Sequence, residues 1–116
     1  MDEIILVKEP ITLEALKNIA NKNDSDLVKA VVDIKLQIFA IGGYMHADEE
    51  KLLLEEGSIQ DNLWGINIYP AKDRNNWIEF DSMINLRSRQ NNRSREVEDP
   101  AIQKKIIDII NFLIKQ

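Results

Sequence analysis

Hydrophobic and polar residues alternate along two stretches in the second half of the chain, residues 63–69 and 77–86. Alternation with a period of two is typical of β-strands, whose successive side chains point to opposite faces of a sheet. Residues 70–76 between them are rich in Pro, Asp and Asn, which favour turns. We therefore predict a β-hairpin. In its expected register three cross-strand pairs form the buried face: Ile68 with Ile78, Ile66 with Phe80, and Trp64 with Ser82.

The other face of this hairpin is predicted to be polar. In the same register Gly65 lies beside Asp81, and a glycine in a strand leaves room for a ligand or another backbone. A polar set next to such an opening can hold a ligand, but the solvent side of any half-buried antiparallel sheet has a similar composition. Both interpretations remain open. The polar set consists of Asn67, Glu79, Asp81, Asn85 and Arg87.

Two stretches have the period of an amphipathic helix. The first covers about residues 13–21 and follows Thr12, a good N-cap residue. The second begins after Asp99, which is also a good N-cap, and has Pro100 in its first turn. Its predicted apolar stripe consists of Ile102, Ile106, Ile109, Ile110 and Leu113.

Three further segments are predicted to contain strands. Residues 4–7 are apolar and end before Pro10, and residues 52–54 are three leucines between acidic residues. Residues 26–43 fit both a helical and a strand period, but their many β-branched residues favour a hairpin that turns at about residues 34–37. Because no Gly or Asn marks that turn, one long strand or a helix remains an alternative.

These elements predict a single globular domain, residues 1–116, of the α+β class. We expect an antiparallel β-sheet of about four to six strands with an N-terminal and a C-terminal helix packed on one face. A chain of 116 residues can bury one hydrophobic core but is too short for two. Residues 87–98 form the only long connection without a predicted element, and such loops are usually functional or mobile.

Composition narrows the function classes. The chain has no cysteine, which excludes disulfides, a thiolate nucleophile and cysteine-ligated metal sites. Its formal net charge of -5 argues against nucleic acid as a partner, since duplex binding normally requires a broad basic face. The start of the chain is acidic and no apolar run approaches the ~20 residues that span a bilayer. We predict a cytoplasmic protein with no membrane partner and no cofactor.

Positive charge is concentrated in one segment, which we call the arginine segment, residues 87–95. It holds four of the five arginines and no acidic residue. Guanidinium groups pair bidentately with phosphates and carboxylates, and nearby amides can complete the hydrogen bonds of such a group. We therefore predict that an anionic small molecule or an acidic segment of a partner protein binds here. The candidate ligand-binding residues are Asn67, Asp81, Asn85, Arg87, Asn92, Arg93 and Arg95.

A second interpretation of the arginine segment is structural. Three acidic residues, Glu96, Glu98 and Asp99, follow it directly. Local pairing with them would fix the entry to the last helix without any ligand.

The single histidine, His46, provides an alternative function. It is followed by Asp48, and Asp81 would approach from the hairpin. His46, Asp48 and Asp81 could hold a divalent metal for a hydrolase, with Glu79 as the base. One histidine matches none of the spaced zinc motifs, so His46 is equally well interpreted as a turn residue. A further alternative is a homodimer formed through a sheet edge or Trp77, without a small-molecule site.

Four segments of the chain resemble a small prokaryotic family of uncharacterised single-domain proteins. They are residues 42–50 (GGYMHADEE), 57–70 (GSIQDNLWGINIYP), 79–87 (EFDSMINLR) and 92–99 (NRSREVED). The resemblance covers essentially the whole chain and implies one compact domain. It implies no activity, cofactor or catalytic residue.

Overall fold

The computed structural model describes residues 3–116 and shows an α+β fold with two sheets. The larger sheet has five antiparallel strands in the order β1-β4-β3-β5-β6, and β2 pairs with β7 in a small parallel sheet. No helix in the described part of the chain is long and apolar enough to cross a membrane. The elements are β1 (Ile5–Val7), β2 (Ile11–Thr12), α1 (Leu13–Lys22), β3 (Val28–Asp33), β4 (Ile38–Ile41), α2 (His46–Glu55), β5 (Leu63–Ile68), β6 (Ile78–Glu79), α3 (Pro100–Leu113) and β7 (Ile114–Lys115).

The predicted hairpin in residues 26–43 is confirmed as β3 and β4, and Asp33 explains how it turns without Gly or Asn. Asp33 Oδ1 accepts hydrogen bonds from the backbone N–H groups of Lys35 and Leu36, both at 2.9 Å. Gln37 has a φ of 59°, the left-handed conformation in which the chain reverses. The buried Asp33 side chain also accepts a hydrogen bond from Ser58 Oγ at 2.7 Å. The Asp33 side chain therefore stabilises the turn, so that neither Gly nor Asn is required there.

The second predicted hairpin is confirmed only near its turn. Ile68 pairs with Ile78 and Asn67 pairs with Glu79, as predicted. The predicted strand 77–86 is wrong beyond Glu79, because β6 ends there. The expected pairs Ile66 with Phe80, Trp64 with Ser82 and Gly65 with Asp81 are therefore absent from β5 and β6.

The chain leaves the sheet after β6 for a local reason. The Asp81 N–H donates back to the Glu79 carbonyl, and the Ser82 side chain then caps a 3-10 turn, Met83–Asn85. The space beside Gly65 is filled by a side chain, since a Cβ on Gly65 would lie 2.6 Å from Cβ and Oγ of Ser82. Beyond Glu79 the predicted burial is wrong as well, because Asn85 and Arg87 of the predicted polar face are buried, whereas Leu86 is exposed.

The prediction of a strand at residues 52–54 is wrong, because these leucines lie in α2. Leu53 is fully buried, whereas Leu54 is exposed. The stretch from Ala47 to Glu55 consists mainly of strong helix formers, and Asp48 and Glu49 in the first turn complement the helix dipole. The helix propensity of residues 47–55 therefore predicted the structure better than the short apolar run 52–54 did.

The two predicted terminal helices are confirmed as α1 and α3. The Thr12 hydroxyl accepts a hydrogen bond from the Ala15 N–H at 3.0 Å, and Asp99 Oδ1 accepts one from the Ala101 N–H at 2.8 Å. The small sheet of β2 and β7 was not predicted, since two-residue strands are too short to show alternation.

Apolar side chains lie on both faces of the larger sheet. Along β3, Ala30 and Val32 belong to the main hydrophobic cluster, whereas Val31 points the other way and belongs to a second, smaller cluster. The smaller cluster includes Leu53 of α2. The buried members of the main cluster from the helices are Leu16 and Ala20 of α1 and Ile106, Ile109, Ile110 and Leu113 of α3.

Trp77, interpreted above as an exposed anchor for a partner, is also part of the main cluster and is fully buried. The guanidinium of Arg74 lies over its ring at 4.2 Å. Trp77 therefore contributes to the core and offers no surface for a dimer.

Candidate functional site

A cleft of about 520 Å³ opens beside the N-terminus of α2. One wall is the start of α2 with the residues before it, and the opposite wall is the chain that leaves β6. Its floor is the face of the larger sheet that α2 leaves uncovered. Of the candidate site residues, the cleft brings together His46, Asn67, Asp81 and Arg95, with Glu79 beside them.

Glu79 is held at the edge of this cleft by two hydrogen-bond donors. Asn67 Nδ2 lies 2.9 Å from Glu79 Oε1, and the Tyr69 hydroxyl lies 3.1 Å from the same oxygen. Burial and the Glu79 carboxylate raise the pKa of Tyr69, so its hydroxyl stays protonated and donates. Asn67 Nδ2 also lies 3.3 Å from the Asp81 carbonyl. Asn67 Oδ1 is buried and has no hydrogen-bond partner in the described chain.

Asp81 and Arg95 form an ion pair at the mouth of the cleft. Arg95 Nε lies 2.8 Å from Asp81 Oδ1, and both side chains are about half exposed. Pairing neutralises the Asp81 carboxylate and fixes the plane of the Arg95 guanidinium, whose other N–H groups stay available to solvent or a ligand.

His46, at the first position of α2, is fixed by the sheet edge. Its Nε2 lies 2.8 Å from the Ile66 carbonyl of β5. A carbonyl accepts, so Nε2 carries the proton and Nδ1 carries the lone pair. Nδ1 has no hydrogen-bond partner among the described residues and is not among their buried unpaired atoms. It therefore faces the cleft as an acceptor.

Burial lowers the pKa of His46 below its ordinary value of 6.5, although the bond to Ile66 partly opposes this effect. In the unfolded chain the imidazole takes up a proton at higher pH than in the folded chain. The contribution of His46 to stability is thus complete above pH 6.5 and decreases as the pH falls through the folded-state pKa. We expect the free energy of unfolding to decrease as the pH falls below about 6.5, and to decrease less in His46→Gln. Chemical denaturation from pH 8 to 5 measures this, and equal slopes in both proteins would contradict it.

The N-terminus of α2 points into the cleft without a cap. Met45 occupies the N-cap position in extended conformation and makes no side-chain hydrogen bond to the helix. The backbone N–H groups of His46 and Ala47 make no hydrogen bond within the described part of the chain. Unsatisfied N–H groups and the helix dipole together favour an anion at this position.

Lys29 adds a positive charge that the sequence did not suggest. It lies opposite Asn67 in the β3–β5 ladder, lines the cleft, and forms no ion pair with any carboxylate of residues 3–116. Tyr44 and Tyr69, which also line the cleft, were missed as well. The polar position of Lys29 within an apolar strand was a signal, but using it required the register between β3 and β5.

The remaining part of the arginine segment serves the fold. Arg87 is 7% exposed, and its guanidinium donates to the carbonyls of Gln60 and Leu63 and lies 4.2 Å over the Trp64 ring. Arg89 pairs with the Asp61 carboxylate. Neither residue lines the cleft, so the predicted grouping of Arg87 with Asn67 and Asp81 at one ligand is not what the structure shows.

Two asparagines of the candidate set are also engaged by the protein. Asn85 bonds both backbone groups of Gly65, and Asn92 Nδ2 donates to the carbonyls of Asn85 and Glu96. Arg93 is exposed outside the cleft, and its N–H donates to Glu98. Contacts within the fold therefore order this segment, but the expected ion pairs of its arginines with Glu96, Glu98 and Asp99 do not form, since Arg89 pairs with Asp61 and Arg95 with Asp81.

The metal-assisted alternative lacks a ligand cluster. Asp48 is exposed on α2 and does not line the cleft, whereas His46 and Asp81 do. Within residues 3–116 no three His, Asp or Glu side chains lie close enough together to hold a metal ion.

Comparison with known proteins gives one match. The model of a family described as a protein of unknown function, DUF5674, matches residues 5–113. No curated protein and no solved structure matches the chain.

Proposed function

We propose that this chain, which belongs to the family of proteins of unknown function DUF5674, is a small cytoplasmic module that binds an anionic ligand in the cleft beside α2. The observation that carries the proposal is the uncapped N-terminus of α2, which opens into a cleft that also contains Lys29 and Arg95. In this proposal α1 and α3 pack together on the opposite face of the sheet.

The positive groups of the cleft act on the ligand because the negative groups are already paired. Arg95 neutralises Asp81, and Glu79 accepts hydrogen bonds from Asn67 and Tyr69. Two positive groups remain: the Lys29 ammonium, which forms no ion pair among the described residues, and the backbone N–H groups of His46 and Ala47, which make no hydrogen bond there although Asp48 and Glu49 complement the helix dipole. Both favour a carboxylate or phosphate group.

The polar floor gives the ligand a defined orientation. His46 Nδ1 accepts a hydrogen bond, and Asn67 Oδ1 is a buried acceptor without a donor. A ligand that also carries a hydroxyl or amide N–H would donate to His46 Nδ1, and such a hydrogen bond contributes about 0.5–1.5 kcal/mol. The site therefore matches an anion, and a donor group beside the anionic group would add affinity through His46.

Anion binding predicts a stabilisation that depends on Lys29. Phosphate, sulfate or acetate should raise the melting temperature, since a ligand at about 100 times its Kd adds about 2.7 kcal/mol of stability. Lys29→Gln should weaken binding roughly tenfold or more, because a charge-assisted hydrogen bond contributes about 1.5–3 kcal/mol. Lys35→Gln, in the exposed turn between β3 and β4, is the matched control and should bind like the wild type. No stabilisation by any anion would reject the proposal.

A substitution at Met45 tests the helix N-terminus separately. Met45→Ser places a hydroxyl at the N-cap, where it can accept from the free N–H groups, and should raise the free energy of unfolding by about 1 kcal/mol. The same hydroxyl competes with the ligand, so anion affinity should decrease while stability increases. A variant that is more stable and binds anions unchanged would show that the ligand does not use this helix end.

A further inference from the structure

Three large apolar side chains stand at the rim of the cleft. Tyr44 is 53% exposed, Met45 is 60% exposed and Met83 is 64% exposed. All three line the cleft, Tyr44 and Met45 from the residues before α2 and Met83 from the 3-10 turn on the opposite wall. Single exposed hydrophobic residues are ordinary, but apolar side chains that converge on a polar cleft are typical of ligand sites.

The cleft has a polar floor, and its rim combines the Asp81–Arg95 ion pair with exposed apolar side chains. The buried polar residues His46 and Asn67 lie at the floor, and the exposed apolar residues lie at the rim. An anionic group at the start of α2 would therefore leave the rest of the ligand between Met45 and Met83. Methionine is unbranched and polarizable, so it packs against a flexible chain of variable shape.

We infer that the cleft binds an aliphatic carboxylate, with its carboxylate at the start of α2 beside Lys29 and its hydrocarbon chain between Met45 and Met83. This inference rests on the proposed function. A compact inorganic anion would leave both methionines in water, whereas a chain of several methylene groups would cover them. The charge of Lys29 and of the helix end selects the head group, and the rim selects the tail.

A homologous series of straight-chain carboxylates tests this inference. Isothermal titration calorimetry with acetate, butanoate, hexanoate and octanoate should show affinity that increases roughly two- to fourfold per methylene group. In the double variant Met45→Gln/Met83→Gln the increase in affinity per methylene group should largely disappear. Ile59→Gln, which removes an equally exposed apolar side chain outside the cleft, is the control and should leave the series unchanged.

Each failure has a distinct meaning. If acetate binds in a Lys29-dependent manner and affinity does not increase with chain length, the inference is overturned and the proposed function stands. If octanoate binds equally to Lys29→Gln, and 1-octanol binds as well as octanoate, binding is nonspecific adsorption and both are overturned. If no carboxylate of the series binds, the inference is overturned, and the proposed function is overturned with it unless phosphate or sulfate still stabilises the wild type.

Discussion

Replacing Arg87 with methionine is expected to lower the free energy of unfolding by about 2–5 kcal/mol. Methionine retains an apolar contact with the Trp64 ring but cannot donate to the carbonyls of Gln60 and Leu63, which the guanidinium satisfies. The buried Leu63 carbonyl loses this donor at a cost of about 1–3 kcal/mol, and the Gln60 carbonyl, which keeps its bond from the Leu63 N–H, loses one of two donors. Urea denaturation measures the loss.

Two further variants define what Arg87 contributes. Arg87→Lys keeps the charge but replaces a fork of donors by a single ammonium, so it should lose less stability than Arg87→Met but still about 1 kcal/mol or more. Arg93→Met removes an exposed arginine of the same segment and should change stability by no more than about 0.5 kcal/mol. If Arg87→Met proves as stable as Arg93→Met, the two carbonyls do not depend on Arg87.

The same variants separate the two interpretations of the arginine segment. Burial lowers the pKa of Arg87, yet a guanidinium remains protonated at any ordinary pH, so its charge is directed at backbone carbonyls within the fold. A folded Arg87→Lys protein should therefore bind anions like the wild type. Loss of binding in this variant without loss of stability would restore Arg87 to the ligand site.

Sequence patterns within a few residues correctly predicted the helices and the hairpin that are stabilised by contacts between nearby residues. Both terminal helices have an N-cap residue and a helical apolar period, and the β3–β4 hairpin has dense β-branched residues. The three leucines of α2 were predicted as a strand, because a short run of consecutive apolar residues shows neither a helical nor a strand period. The strand 77–86 was overextended because Ser82 and Asp81 hydrogen bond locally and end the ladder, which side-chain alternation does not show.

The candidate site was predictable only in part, for a physical reason. Asn67, Asp81 and Arg95 lie near each other in sequence or across one hairpin, so the sequence could indicate them. Lys29 reaches the cleft through the pairing of β3 with β5, two strands separated by a helix and about thirty residues, and that register is set by tertiary packing. The missing cap of α2 is visible only once the start of that helix is known.

Asn85 connects the fold to the site, and Asn85→Ala is expected to lower the free energy of unfolding by about 3–5 kcal/mol. Its carboxamide replaces the missing strand beside β5: Oδ1 lies 2.8 Å from the Gly65 N, and Nδ2 lies 3.0 Å from the Gly65 carbonyl. Nδ2 also lies 3.0 Å from the Arg95 carbonyl, so one buried side chain joins the sheet edge to the backbone of a cleft residue. Alanine leaves all three backbone groups without these partners.

The control for Asn85 is Asn18→Ala, on the exposed side of α1, where alanine favours the helix and stability should stay equal or rise slightly. Because Asn85 holds the backbone at Arg95, the folded fraction of Asn85→Ala should also bind anions more weakly than the wild type, in the same direction as Arg95→Gln. Urea denaturation gives the first quantity, and titration below the unfolding transition gives the second. A variant that loses stability but keeps full affinity would mean that Arg95 is positioned by its ion pair with Asp81 and by the Ser82 N–H, which donates to its carbonyl, and not by the carboxamide of Asn85.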